Sequence, residues 1–326
     1  MTHLVTGGLG FLGAGLVREL LADGRDVRVL DNGSRGNPSR LSDLSSDFEL
    51  VEGDVRDAAI VRQATKGCTT VWHLAYINGT RFFYERPDDV LDVGIKGTLT
   101  TLDAALDLGV ERYVLASTSE TYNNPSAIPT DESERLMIPD VTNPRFSYGA
   151  GKIAGEALAL HYGGQRGLDP VIFRPHNIYG PDMGHEHVMP ELIESIVRIS
   201  DGLTRREIEL PIEGDGSDTR AFCFITDGAR GARIAGDLGG SGEVYHLGTP
   251  EEITISELVG LIADIMRVSV DMKRGVRPQG STPRRCPDIT KLRALGYEPE
   301  VDLRAGLEKT IPWYVDYALA THHAHA

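Results

Sequence analysis

The chain has 326 residues, a formal net charge of −15, a pI near 5.1, 40% hydrophobic residues and 25% charged residues. That length holds one large α/β domain or two modest ones, and the composition is that of an ordinary folded protein. The acidic balance argues against non-specific binding to nucleic acid or an anionic membrane, so an anionic ligand has to be held by local donors.

Cys68, Cys223 and Cys286 are odd in number and lack paired spacing, which suits neither a disulfide framework nor a zinc site and points to a reducing cytoplasm. No apolar stretch is long enough to span a bilayer, and no basic-then-apolar segment marks a secretory signal at the amino terminus. His322, His323 and His325 read as a solvated tail rather than a metal site.

In chain order, Leu4-Val5 is a short strand, a glycine cluster follows, and Gly13 to Leu21 carries apolar residues at helical spacing. "DVRVLD" (Asp26 to Asp31) is a second strand ending in an acid, and "FELVEGDVRD" a third ending at Asp54. Thr69 to Ala75 is a fourth and Glu111 to Ser119 a fifth, with one helix between them across "DDVLDVGIKGTLTTLDAALDLG". Pro170 to Pro175 is a sixth. Near-continuously apolar strands alternating with helices predict an α/β fold with a doubly wound parallel sheet. After about Asn177 proline and glycine become frequent, as in "YGPDMGHEHVMP" and "IEGDGSDTR". We read residues 1–176, with a returning segment at about 222–245, as the sheet domain. Residues 177–221 and 246–326 read as a smaller lobe closing over the strand ends, where such sheets bind ligands.

Gly7, Gly8, Gly10 and Gly13 follow a strand and open a helix, and Asp31 ends the next strand eighteen positions beyond Gly13. This is a dinucleotide arrangement: glycine permits the tight turn, lets backbone approach a pyrophosphate and aims helix N–H groups at it. Asp31 suits a ribose 2′-hydroxyl and repels a 2′-phosphate, which favours NAD over NADP. "SYGAGK" places Tyr148 and Lys152 four residues apart on one helical face. A phenol with a pKa near 10 is a poor base at neutral pH, and a nearby ammonium stabilises its anion. Such a pair can take a hydroxyl proton while hydride leaves to the cofactor. The pair arises often by chance; the sheet around it is what gives it weight.

Thr6 and the glycines resemble the T-G-G-x-G-F-x-G of the extended short-chain dehydrogenase/reductase family, and the likeness runs nearly the whole length. It implies a Rossmann sheet, NAD, and a nucleotide-diphosphate sugar oxidised at C4. It places Gly7, Gly10, Phe11, Leu12, Asp31, Asn32, Asp54, Val55, Leu74, Ala75, Tyr148, Lys152 and Pro175 along the cofactor. Thr118, in "ASTSETY", is implied to position the 4-hydroxyl and complete the proton path to Tyr148, beside Ser119 and Glu120. Simple 4-epimerases usually carry small or hydroxyl residues at these last two positions, 4,6-dehydratases Asp-Glu, and UDP-glucuronate decarboxylases Ser-Glu. Glu120 is thereby implied as base for the C5 proton, its bland alternative being a loop carboxylate turned to solvent. "RPHNIYGP" implies a substrate contact by Asn177, "GDGSDTRAFCFITD" by Arg220 and "TPRRCPDITKL" by Arg285, with Val188 of "GHEHVMP" also expected at the substrate. Either arginine could instead be a solvated surface charge.

The departures are Asn123 after Tyr122, Gly94 where Asn is usual, Tyr76 where a small residue is usual, and Asp182-Met183 where decarboxylases read Arg-Met. Asp182 has the wrong sign for a carboxylated sugar. His185 and His187 read as loop histidines, and "NGTRFFYERP" (Asn78 to Pro87) as an unusual loop near the substrate. The sequence leaves epimerisation, dehydration, decarboxylation and release of a keto sugar open, with a non-catalytic NAD-binding sensor as the alternative of another class. Relatives commonly dimerise through a four-helix bundle, and "TLTTLDAALDLG" and "IAGEALALHY" are apolar enough to permit a homodimer.

Overall fold

Six of the apolar runs become parallel strands, β1 (Thr2–Thr6), β2 (Asp26–Asp31), β3 (Phe48–Glu52), β4 (Cys68–His73), β5 (Arg112–Ala116) and β6 (Asp169–Pro175). A seventh, Val244–Leu247, pairs in parallel with β6. The structure is a computed structural model and describes residues 1–276 and 282–324; His325 lies outside them. Across the sheet the order is Val244–Leu247, β6, β5, β4, β1, β2, β3. Chain direction of growth reverses between β1 and β4, which opens a crevice at their carboxy ends.

Alternation along each strand builds a core on each face. Val5, Trp72, Val114 and Phe173 point to one side. There they meet α1 (Phe11–Ala22) through Leu16, Val17 and Leu20. Their neighbours Leu4, Val71, Leu115 and Ile172 point to the other, joined by Val61 of α2 (Ala58–Thr65). Both faces are covered, which is why the strands are nearly all apolar.

A short helix, α3 (Thr80–Glu85), forms inside the segment Asn78 to Pro87 that reads as a loop, and the single helix expected from Asp88 to Gly109 is divided into α4 (Pro87–Leu91), a π-type turn at Asp92–Lys96 and α5 (Gly97–Asp107). Gly94 and Gly97 sit at this break, and the Thr98 hydroxyl donates to the Gly94 carbonyl at 2.6 Å. The helix carrying Tyr148, α6 (Ser147–Ala157), likewise passes into a π-type turn at Leu158–Gly163. These wide turns keep the apolar positions periodic, so the pattern alone does not reveal them.

Beyond β6, α7 (Val188–Ile199) enters a third core, while α8 (Ile225–Leu238) returns to pack on α1. The third core gathers Ile193, Ile196 and Val197 of α7 with Leu258 and Ile262 of α9 (Ile255–Met266). A reciprocal pairing of Thr254 with Glu257 caps α9. Leu292 of α10 (Thr290–Arg293) packs into the first core, and Leu307, Ile311 and Tyr314 of α11 (Leu303–Ala324) into the third. Among the described residues no helix is long and apolar enough to cross a membrane.

Candidate active site

At the end of β1 the chain turns through Gly7, whose φ is +71°, and its N–H donates to the Leu30 carbonyl at 2.8 Å. A Cβ at Gly7 would stand 2.7 Å from the Ala75 nitrogen, and one at Gly13 would overlap the Gly7 carbonyl. Gly10 caps α1 without a side chain, so the amides of its first turn, at Phe11 and Leu12, keep their open end toward the crevice. Buried Asp31 organises the same turn, accepting from Leu9 N at 3.0 Å and Gly33 N at 2.9 Å.

Asn32 donates to Asp54 at 3.1 Å. Arg56 grips Asp54 through two bonds of 2.9 and 2.8 Å, and this pairing is the main reason its carboxyl is lowered to about 2. Val55 is buried beneath Gly97. Along the crevice floor Leu74 N donates to the Thr6 carbonyl and Ala75 N to the Thr6 hydroxyl.

Tyr148 and Lys152 are both buried on α6. Lys152 Nζ donates to the Ala116 carbonyl at the end of β5, at 2.6 Å. Burial lowers its ammonium to about 7, with Glu156 pulling the other way. Burial, then the charge of Glu120, raises the Tyr148 phenol above its ordinary value, and a Thr118 hydrogen bond only partly offsets this. The sequence points to a phenol held ionised by its lysine. Among the groups around that phenol, burial has the largest influence, and it favours the protonated form. Phe83 stacks on the Tyr148 ring at 5.0 Å, and Tyr76 meets it edge-on at 5.1 Å.

Thr118 caps the short turn Ser119–Thr121, accepting from Glu120 N at 3.2 Å. Half-buried Glu120 lies between two guanidiniums, 3.3 Å from Arg145 and 3.8 Å from Arg285. Arg145 was not visible as a site residue in the sequence. Its only signal is a position three residues before Tyr148. Ser119 lines a cavity of about 10 Å³, room for one water-sized atom, with Tyr122, Asn123, His176, Arg285 and Cys286. Both ring nitrogens of buried His176 lack a hydrogen-bond partner among the described residues.

Pro175 ends β6 opposite Leu247. Asn177, at φ +42°, donates to the Ala221 carbonyl at 3.1 Å. Arg220 and Arg285 face each other across a parallel strand pair, and Arg220 donates to the Thr219 carbonyl at 2.7 Å. Val188 opens α7 and packs against the third core. Asp182 is paired with Arg40 at 2.8 Å, so its charge is already compensated. His185 pairs with Glu194 and lies on Tyr317, whereas half-buried His187 feels the charges of Arg35, Glu186 and Glu120. A second cavity, about 550 Å³ and lined by Phe222, Glu252, Glu257 and Leu303 among others, shares no residue with this site.

A glycine turn with its buried acid, facing a tyrosine–lysine pair across the switch point of a parallel sheet, defines a class: dinucleotide-dependent enzymes built on a Rossmann sheet. Residues 3–248 match the NAD dependent epimerase/dehydratase family, and the chain belongs to that family. It is 30% identical over 322 residues to a UDP-N-acetyl-alpha-D-glucosaminuronate decarboxylase of Bacillus cytotoxicus, covering 95% of this chain and 97% of that one. It is 31% identical to a dTDP-glucose 4,6-dehydratase of Actinoplanes sp., covering 96% and 98%. The dTDP-glucose 4,6-dehydratase DesIV of Streptomyces venezuelae, crystallised with NAD, superimposes with a TM-score of 0.85 at 31% identity, over 97% of both chains. The chain is thus an NAD-dependent enzyme of the extended short-chain dehydrogenase/reductase group. The glycine turn fits the cofactor, because a Cβ at Gly7 or Gly13 would run into the backbone of Ala75 or of Gly7 and open the tight turn.

Proposed function

We propose that the chain holds a nucleotide-diphosphate sugar beside NAD and oxidises its C4 hydroxyl to a 4-keto intermediate. The observation that carries this reading is the convergence of Thr118 and Glu120 on the Tyr148 phenol, beside a lysine anchored to the Ala116 carbonyl. Bound NAD supplies the hydride acceptor and a positive ring near the phenol. Tyr148 accepts the C4 hydroxyl proton, Thr118 positions that hydroxyl, and Lys152 supports the tyrosinate. A ketone at C4 acidifies the C5 proton, and Glu120 removes it, with Ser119 beside it. Asn177, Val188, Arg220 and Arg285 hold the nucleotide sugar from the lobe of residues 177–221 and 246–326. Buried thiols suit the cytoplasm. The partly exposed apolar positions Leu99 and Leu106 of α5 and Ile153 of α6 suit a homodimer through a four-helix bundle.

A second reading, a UDP-glucuronate decarboxylase-type reaction, draws on Arg145 and Arg285. Two guanidiniums beside Glu120 provide cations for a C6 carboxylate, and the pairing of Asp182 with Arg40 removes the charge objection. In that outcome the bond from C5 to the carboxyl breaks, carbon dioxide leaves, and its electron pair enters the enolate of the C4 ketone.

The test is incubation with UDP-, GDP-, dTDP- and ADP-sugars, uronates included, followed by absorbance near 340 nm, mass spectrometry and NMR. A keto, epimerised, dehydrated or decarboxylated sugar is the expected result. Binding with no turnover of any of them would leave an NAD-binding sensor. Glu120→Gln is expected to keep sugar-nucleotide binding and to abolish solvent deuterium incorporation at C5. Unchanged exchange removes Glu120 as the base.

A further inference from the structure

Tyr76 follows the strand-end segment His73 to Ala75 and reaches over to the catalytic helix. Its ring centroid lies 4.1 Å from Lys152 Nζ, while the same ring meets Tyr148 edge-on, 88° between planes. Lys152 is buried, and a desolvated ammonium gains more from an aromatic face than an exposed one does. Among the described residues that ammonium donates to the Ala116 carbonyl, and the ring supplies a second electron-rich face.

Room for the ring comes from two separate segments. A Cβ at Gly94, in the π-type turn, or at Gly151, between Tyr148 and Lys152 on α6, would overlap the Tyr76 hydroxyl. That hydroxyl is buried and has no hydrogen-bond partner among the described residues. A phenol placed for its oxygen would have found one, because a buried hydroxyl without a partner loses the hydration it had in water. What the site uses is the aromatic face.

We propose that Tyr76 is a positioning residue whose ring seats the Lys152 ammonium against the Ala116 carbonyl and holds it charged beside Tyr148. The proposal rests on the reading of Tyr148 and Lys152 as base and partner. The groups facing Lys152 are Glu156 on its own helix, Tyr148, His73 from β4 and the Ala116 carbonyl from β5. Of these Glu156 favours the charged form, whereas burial disfavours it.

The test is a pH titration of the full chain without cofactor, labelled with ¹³Cε-lysine and followed by NMR, with Lys152 assigned by the resonance missing from Lys152→Arg. Tyr76→Phe is expected to leave the Lys152 midpoint, about 7, in place. Tyr76→Leu, as dry but without a π face, is expected to lower it by about one pH unit. Fluorinated phenylalanines at position 76 keep the ring's shape while draining its face, so the midpoint should fall stepwise with each fluorine even if the Leu variant folds poorly. A Leu or fluorinated midpoint at or above the wild-type value, or a Phe midpoint displaced as far as Leu, overturns the proposal. Failure of the base reading shows separately, as C4 oxidation surviving Tyr148→Phe.

Discussion

Tyr148 sits between Phe83 and Tyr76, and its hydroxyl is the one atom of that stack with chemistry to do. Tyr148→Phe keeps the ring and its packing, so we expect NAD to bind as before and C4 oxidation to fall by about 10²- to 10⁴-fold. NAD titration alongside single-turnover oxidation checks this, and a loss of NAD binding equal to the loss of rate would argue for a structural role instead. Tyr148 and Lys152 were legible in the sequence because four residues along a helix fix their shared face. Arg145 and Tyr76 were not. Tyr76 showed only as an unusual side chain, and its meeting with Lys152 depends on packing between β4, the π-type turn and α6, which no local spacing encodes.

Among elements, the strands were the easiest to read, since burial on both faces makes each a short apolar run. The division of the helix after β4 was hidden. At the π-type turn Gly94 admits the Tyr76 hydroxyl where any Cβ would collide. Gly94→Ala should therefore destabilise the fold by about 1–3 kcal/mol through overpacking, against the small gain that alanine brings to an open helix. In a Tyr76→Leu background the same change should cost much less, because the colliding atom is gone. Urea unfolding of the two single variants and the double variant closes the cycle. Strict additivity would mean that Gly94 serves some need other than room for Tyr76. Beyond β6 the sequence showed only a change of rhythm, because most strands there are two to six residues long and pair across distant segments, as Arg284–Arg285 does with Thr219–Ala221.

For the whole molecule, the acidic composition predicts self-repulsion that eases as pH falls, which by itself would make the fold more stable in mild acid. Burial of histidine predicts the reverse. Desolvation lowers His73 to about 3 and His246 to about 4, and it puts His176 well below its ordinary value. All three are neutral in the folded protein at pH 5, yet in the unfolded chain they take up protons below about 6.5. Because the unfolded state then binds more protons, stability is full above about 6.5 and falls as pH drops from there toward 4, by about 1.4 kcal/mol per pH unit for each proton. Glu132 and Glu191, raised by burial, hold protons in the folded state and oppose this only near and above the ordinary glutamate value. Asp54, lowered to about 2, adds its own loss only further into acid. Urea midpoints should therefore drop between pH 7 and 5, with more than one proton taken up on unfolding at pH 5.5. A flat or rising midpoint over that interval would mean that the buried imidazoles are already hydrated or charged in the folded state, and the sheet floor on which His73 sits would need redrawing.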